Sequence, residues 1–138
     1  MKCFRANFDT AGDREHMAEI LLVDDSAAIR NEVADFLKKN SFNVVTANDG
    51  SDGLNKMKAD RNIKLVISDV NMPVMDGLTM VEKIRSELGN NGVHVIMLTT
   101  ENDPSMKARG KAAGVKGWIV KPFNGANAIG VIQKLVNS

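Results

Sequence analysis

The chain has 138 residues, which is enough for one domain with a substantial core. Its 18 basic and 17 acidic side chains leave a net charge of +1, and the basic residues form no stripe, so a nucleic-acid partner is not indicated. No apolar run approaches the roughly 20 residues that span a bilayer, so membrane insertion is not expected. The single cysteine, Cys3, excludes an internal disulfide and fits a reducing cytoplasm.

Residues 1–16 read as an extension that precedes the folded domain. They are polar and lack the apolar segment of a secretory signal peptide. The stretch MAEILLVDD, which starts at Met17, looks like a natural beginning because it leads at once into an apolar strand. We therefore predict a domain over residues 17–138, preceded by an extension that is disordered or was added for expression.

From Met17 onwards the sequence alternates short apolar strands with amphipathic helices. Strands are predicted at 20–23, 44–47, 65–68, 93–99 and 117–120. The first predicted helix is capped by Ser26 and turns Ile29, Val33, Phe36 and Leu37 inward. The second spans residues 53–59, and the third turns Leu78, Val81, Ile84 and Leu88 inward. The last two are one opened by Asp103 and Pro104 that ends before Gly114, and one capped by Asn124 with Ile129, Ile132, Leu135 and Val136 inward.

Five consecutive strand–helix units predict an α/β fold with a doubly wound, five-stranded parallel sheet and helices on both faces. In such sheets ligands bind at the carboxyl ends of the strands, near the point where the strand order reverses. The residues that directly follow each strand are therefore the candidates for a functional site.

Polar side chains end or follow four of the predicted strands. Asp24 and Asp25 follow the first strand, Asp69 the third and Lys121 the fifth, while Thr99 ends the fourth. Taken singly, each is ordinary turn or cap chemistry, but together they lie at one edge of the sheet, and an acid directly after the buried strand LVIS is costly to desolvate. The three carboxylates and one ammonium leave a charge of −2, which a divalent hard cation would cancel. Mg²⁺ suits such a set of carboxylate, water and phosphate oxygens.

Four segments carry a resemblance to a known family: LLVDDS, SDVNMPVMDG, MLTTE and WIVKPF. In this order and at this spacing they resemble the signature segments of bacterial two-component response-regulator receiver domains, over residues 17–138. Within that family the chain most resembles the single-domain chemotaxis regulators of the CheY type, whose sheet is flavodoxin-like. The resemblance implies a phosphoacceptor signalling protein rather than an enzyme, since such a domain catalyses only its own phosphorylation and dephosphorylation.

The resemblance also implies how phosphorylation occurs. Asp69 would be the phosphoacceptor, and its carboxylate would attack the phosphohistidine of a histidine kinase in line. Asp25, Asp69 and the backbone carbonyl of Asn71 would hold Mg²⁺, and Asp24 would act on the metal through a water molecule.

Three further residues would complete the reaction and the switch. Lys121 would contact the phosphoryl group, and the peptide bond between Lys121 and Pro122 would be cis. Thr99 would be the switch hydroxyl, which turns to donate to a phosphoryl oxygen. Trp118 would hold the aromatic switch position, which is filled more often by Tyr or Phe, and would rotate into the space that Thr99 vacates.

The implied partners are a chemotaxis-type histidine kinase and, as candidates, a flagellar switch protein or a phosphatase. The chain itself is expected to be a cytoplasmic monomer. In CheY-like proteins the flagellar switch binds the face made by the fourth helix, the fifth strand and the fifth helix. Here Asp103 and Pro104 stand where lysines are usual, and Val131 replaces another lysine, while Lys134 remains. The output is therefore open between the flagellar motor and another target.

Other classes of protein share parts of this pattern. Phosphohydrolases of the haloacid dehalogenase type also use a strand-end Asp and Mg²⁺, but they place a second Asp two residues later as general acid, where this chain has Asn71. A flavodoxin-type electron carrier would need a Ser/Thr/Gly-rich phosphate loop after the first strand, where DDSAAIR would repel a phosphate. The alternatives that stay open are the phosphohydrolase and a stand-alone receiver outside flagellar control, acting as a phosphate sink or relay.

Overall fold

The structure is a computed structural model, and it describes residues 18–138. The strands are β1 (Ile20–Val23), β2 (Val44–Ala47), β3 (Leu65–Ser68), β4 (His94–Thr99) and β5 (Gly117–Val120). The helices are α1 (Ala27–Lys39), α2 (Gly50–Ala59), α3 (Gly77–Ser86), α4 (Pro104–Ala112) and α5 (Gly125–Val136). The predicted extension at 1–16 lies outside the described residues. No helix within 18–138 has the length and apolar character needed to cross a membrane.

Each helix begins where a polar side chain accepts a hydrogen bond from a backbone N–H of the first turn. These caps are Ser26, Asp49, Asp76, Asp103 and Asn124. The predicted start of α2 at residue 53 is wrong by three residues, because the helix begins at Gly50. The reason is Asp49, whose Oδ1 accepts the Asp52 N–H at 2.8 Å and so fixes the first turn earlier than the apolar pattern indicates.

The sheet is parallel throughout, and its strand order is β2-β1-β3-β4-β5. The order reverses at β1, since the chain runs from β1 outward to β2 and then returns to β3 on the other side of β1. The register pairs Val23 of β1 with Ser68 of β3. Asp24 and Asp69, the next residue on each strand, are therefore brought side by side at the switch point.

A hydrophobic core covers each face of the sheet. Side chains alternate along the strands, so that Leu21 and Val23 enter the core formed with α2 and α3, while Ile20 and Leu22 enter the core formed with α1 and α5. This arrangement confirms the predicted doubly wound sheet with helices on both faces. Ile129, which we expected to point inward, is only partly buried and belongs to neither core, because the smaller Ala128 occupies the core position on α5.

Candidate functional site

Three carboxylates meet at the carboxyl ends of β1 and β3. Asp24 and Asp25 follow β1, Asp69 follows β3, and one carboxylate oxygen of each lies within 4.8 Å of the other two. Asp24 is 1% exposed and Asp69 is 8% exposed, whereas Asp25 lies at the surface. The predicted acids thus form one acidic pocket with two buried members and one exposed member.

Each buried carboxylate has one oxygen held by the backbone and one held by a lysine. Asp24 Oδ1 accepts the Ser26 N–H at 2.9 Å, and Asp69 Oδ1 accepts the Val70 N–H at 2.7 Å. The Oδ2 atoms of both acids lie 2.9 Å from Nζ of Lys121. A single ammonium therefore bridges the two buried acids and partly compensates their charge.

Lys121 follows β5 and has only 15% of its side chain exposed. Burial alone would lower the pKa of Lys121, but the hydrogen bonds to Asp69 and Asp24 outweigh burial and raise the pKa above its ordinary value. The lysine is thus charged at neutral pH. The bond between Lys121 and Pro122 is cis, as predicted.

Replacing Lys121 by methionine keeps most of the side-chain volume but removes the charge between two buried acids. In EDTA we expect the free energy of unfolding to fall by about 2 to 3 kcal/mol, below the value for a fully buried pair because Lys121 is partly exposed. Because the pKa of Lys121 is raised in the folded protein, this stabilisation is complete at any pH below the lysine pKa of the unfolded chain. It is lost only as the pH rises through the pKa of Lys121 in the folded protein. Urea titrations at a series of pH values measure the free energy of unfolding.

The matched control is Lys134→Met, which removes an exposed charge on α5. The control should change stability by less than about 0.5 kcal/mol, as surface substitutions usually do. The role of Lys121 as a bridge would be contradicted if the two variants lost equal free energy of unfolding. It would also be contradicted if Lys121→Met and the original protein became equally stable near neutral pH.

The two ends of the loop after Asp69 lie in close backbone contact. Gly77 donates its N–H to the Val70 carbonyl at 2.8 Å, and a Cβ at this position would collide with the Asp69 carbonyl oxygen, so only glycine permits the approach. Val74 in the same loop has a φ of 69° and is 84% exposed. A β-branched residue in the left-handed region is strained, and such strain is concentrated at functional sites.

Thr99 begins a chain of hydrogen bonds that leads away from the acidic pocket. Its side chain is fully buried, and its carbonyl accepts the Lys121 N–H at 3.0 Å. Thr99 Oγ1 accepts the Glu101 N–H at 3.0 Å, and the Glu101 carbonyl accepts Nε1–H of Trp118 at 2.8 Å. Movement of the Thr99 hydroxyl would therefore reach the indole through one intervening residue.

Trp118 already packs inward in this structure. The indole is partly buried against the core on the α2 and α3 face, and its Cζ3 atom lies 3.1 Å from the place that a Cβ on Gly110 would take. The bare backbone at Gly110 of α4 leaves room for the ring, and the Glu101 carbonyl accepts its N–H. That the ring rotates into the space vacated by Thr99 on phosphorylation stays a prediction.

Glu101 is a residue of the site that we did not predict from the sequence. Besides its two backbone contacts, its Oε1 accepts a hydrogen bond from the side-chain amide of the exposed Asn71 at 3.2 Å. The pair links the loops that follow β3 and β4. The signal was present in the segment MLTTE, where Glu101 lies two residues beyond the last strand residue, Thr99.

The donor set of the pocket fits a hard divalent cation. Asp24, Asp25 and Asp69 bring three negative charges and Lys121 one positive charge, which leaves −2. The donors are oxygens, as Mg²⁺ prefers, and the exposed Asp25 leaves room for the waters that this ion retains. Within residues 18–138 no other group of three such side chains converges in this way.

A parallel sheet in this strand order, with an acidic pocket bridged by a lysine at its carboxyl end, defines the class of receiver domains. The chain matches the response regulator receiver domain over residues 20–133 and belongs to this family. Receiver domains of response regulators are phosphoacceptors and generally bind Mg²⁺ in an acidic pocket. Those of the CheY type are signalling proteins rather than enzymes in the usual sense.

Similar proteins include three CheY proteins. Chemotaxis protein CheY1 of Helicobacter pylori is 36% identical over 106 residues, which cover 76% of this chain and 86% of that protein. The structure of CheY4 of Vibrio cholerae has a TM-score of 0.78 and 42% identity, covering 86% of this chain and 98% of that one. CheY of Borrelia burgdorferi, in a complex with CheX, BeF₃ and Mg²⁺, has a TM-score of 0.77 and 29% identity, covering 85% of this chain and 87% of that one. The predicted CheY-like receiver fold is thus confirmed.

Proposed function

We propose that this protein is a cytoplasmic, monomeric response regulator, with its receiver domain at residues 17–138, that takes a phosphoryl group from a histidine kinase onto Asp69 in a Mg²⁺-dependent reaction. One observation carries the proposal: Asp69 Oδ2 lies 2.9 Å from Lys121 Nζ, with two further carboxylates beside it. Similarity to CheY1 and CheY4 supports a place in chemotaxis-type signalling. Loss of phosphorylation in Asp69→Asn tests the proposal.

Asp69 acts as the nucleophile. One of its carboxylate oxygens attacks the phosphorus of phosphohistidine in line, so that a P–O bond forms, the P–N bond breaks and the imidazole leaves. The Val70 N–H holds Oδ1 and the Lys121 ammonium holds Oδ2, which orients the carboxylate before the attack. After transfer Lys121 pairs with a phosphoryl oxygen, so its positive charge stays beside the new acyl phosphate.

The three acids and the backbone carbonyl of Asn71 are the groups that would hold Mg²⁺. When bound, the ion offsets the negative charge on the transferring oxygens. Asp24 already accepts hydrogen bonds on both carboxylate oxygens, from Ser26 and Lys121, which suits contact with the ion through a water. Asp25 is exposed and suits direct contact.

Phosphorylation would be transmitted from the pocket through Thr99. The acyl phosphate adds roughly −1.5 to −2 charges beside the Thr99 hydroxyl, which can donate to a phosphoryl oxygen. When the hydroxyl turns, its hydrogen bond from the Glu101 N–H breaks. Glu101 then moves, and its carbonyl, which accepts the Trp118 N–H, moves as well. The face made by α4, β5 and α5 would then differ between the two states, as a binding switch requires.

Trp118 gives a direct readout of this switch because it is the only tryptophan of the chain. We expect its fluorescence emission to shift when fluoroberyllate and Mg²⁺ are added, since the carbonyl that accepts its N–H moves. Thr99→Ala should remove most of the shift while leaving Mg²⁺ affinity nearly unchanged, and Thr99→Ser, which keeps the hydroxyl, is the matched control. An unchanged spectrum for the original protein, or a full shift in Thr99→Ala, would contradict the coupling.

A second candidate function is a stand-alone receiver outside flagellar control, acting as a phosphate sink or relay. Hydrogen bonds from the backbone N–H and the hydroxyl of Ser105 lower the pKa of the exposed Asp103 carboxyl, so this residue is negatively charged at neutral pH. Val131 on α5 is 39% exposed. Both stand where chemotaxis members of the family usually carry lysine, which favours a different partner at this face.

A further inference from the structure

We propose that the exposed edge of β2 is a second interaction surface, which binds an extended acidic peptide segment of a partner protein. Among the described strands, β2 has a single neighbour, β1. A trough of about 770 Å³ lies beside this strand, and the six consecutive residues 41–46, which include three of the four residues of β2, line it. An extended chain that adds to an exposed edge strand would run along such a continuous stretch of backbone.

The trough lies at the end of the sheet opposite to the phosphorylation pocket. Ala18 and Asn43, which line it, precede β1 and β2, whereas Asp24 and Asp69 follow β1 and β3. Its remaining walls come from the last turns of α1 and α2 and from Asp60. A peptide could therefore occupy the trough in either phosphorylation state.

The free edge of β2 offers backbone groups that none of the described strands pairs. The Thr46 carbonyl accepts a hydrogen bond from Lys56 Nζ at 2.9 Å, so a side chain takes the place of a neighbouring strand there. Val44, Val45 and Thr46 are only partly buried, and their β-branched side chains suit a further strand beside them. An added peptide strand would satisfy the edge and cover these side chains.

Asp60 is an independent observation that points to a ligand in the trough. Asp60 is 7% exposed, and its Oδ1 accepts the Asn62 N–H at 2.8 Å. Its Oδ2 is buried without a hydrogen-bond partner, the only such side-chain atom within residues 18–138. A buried carboxylate oxygen without a donor is costly, and an N–H of a bound peptide would remove that cost.

The charges around the trough favour acidic side chains on the peptide. Lys38 and Lys56 line it, and Lys39 and Lys58 lie in the same last helical turns, against the lining carboxylate of Asp60 and the carboxylate of Asp52, which lies 3.6 Å from Lys56 Nζ. Lys38 has no ion pair among the residues that the structure describes. Charge complementarity of this kind selects the partner and rejects a basic segment.

The test uses two blocked, fluorescein-labelled peptides that alternate valine or threonine with glutamate in one and with lysine in the other. We expect fluorescence anisotropy to give about tenfold tighter binding of the glutamate peptide, with the same affinity with and without fluoroberyllate, because opposite charges attract across the trough. Amide hydrogen exchange of residues 43–46 should slow when this peptide binds.

Two variants locate the binding site. Lys38→Glu should weaken binding of the glutamate peptide several-fold, whereas Lys107→Glu, which makes the same charge change on α4 at the other side of the sheet, should not.

Several results would overturn the proposal. In the anisotropy titrations, these are the absence of saturable binding or equal affinity for the two peptides. In hydrogen exchange, it is protection of α4, β5 or α5 instead of β2. In sedimentation, it is a dimer that pairs β2 strands without peptide. Asp69→Asn should bind the glutamate peptide unchanged, so failure of this proposal and failure of the phosphorylation mechanism are distinguishable.

Discussion

Replacing Asp69 by asparagine is expected to abolish labelling of the protein by radioactive acetyl phosphate. An amide cannot act as the nucleophile toward phosphorus, and no other carboxylate of the pocket occupies the same position at the end of β3. The change preserves side-chain size, and the side-chain oxygen that accepts the Val70 N–H remains. Gel autoradiography of the folded variant measures the loss, which should be complete.

Asp35→Asn is the control for this experiment, because it removes one exposed carboxylate on α1 that is not part of the pocket. This control should label as the original protein does, and EDTA should stop labelling of both. Label that persists on Asp69→Asn and is released by hydroxylamine, as an acyl phosphate would be, would place the phosphoacceptor at another residue.

The activated protein is expected to bind a flagellar switch peptide about tenfold to a hundredfold more weakly than CheY proteins that carry lysines on the same face, since each tenfold corresponds to about 1.4 kcal/mol. Asp103, Pro104 and Val131 in place of lysines remove up to three positive charges and add one negative charge. Like charges brought together across an interface can cost several kcal/mol. Lys107 and Lys111 of α4 are also exposed, so the face keeps some positive charge.

The reciprocal test is to restore lysine at positions 103, 104 and 131 and to titrate the peptide against the fluoroberyllate-loaded protein. Because Asp103 caps α4, a second variant with asparagine at 103 and lysine at the other two positions separates the charge from the cap. If the unaltered protein already binds as tightly as the lysine variants, an ordinary role at the flagellar motor becomes the better interpretation.

The sheet and the acidic pocket could be predicted from the sequence because the signals for both are local. Short apolar runs mark the strands, and parallel strands end at one edge, so the polar residues that follow them must meet. Asp24, Asp69 and Lys121 come together for this reason. Because the chain belongs to the receiver-domain family, a phosphohydrolase of the haloacid dehalogenase type is no longer supported.

What could not be predicted depends on contacts between distant segments or on backbone geometry. The inward position of Trp118 requires Gly110 of α4 beside it and the Glu101 carbonyl in front of it, and neither contact leaves a periodic pattern. The buried oxygen of Asp60 follows from the packing of a turn. The early start of α2 results from one side-chain hydrogen bond of Asp49, which outweighs the apolar spacing.

The most direct test of the central claim is to locate the phosphorylated residue chemically. Borohydride reduces an aspartyl phosphate to homoserine, which can then be found by digestion and mass spectrometry. We predict homoserine in place of Asp69 alone, and only when Mg²⁺ was present during phosphorylation. Homoserine in place of Asp24 or Asp25, or none in a fully phosphorylated sample, would contradict Asp69 as the phosphoacceptor.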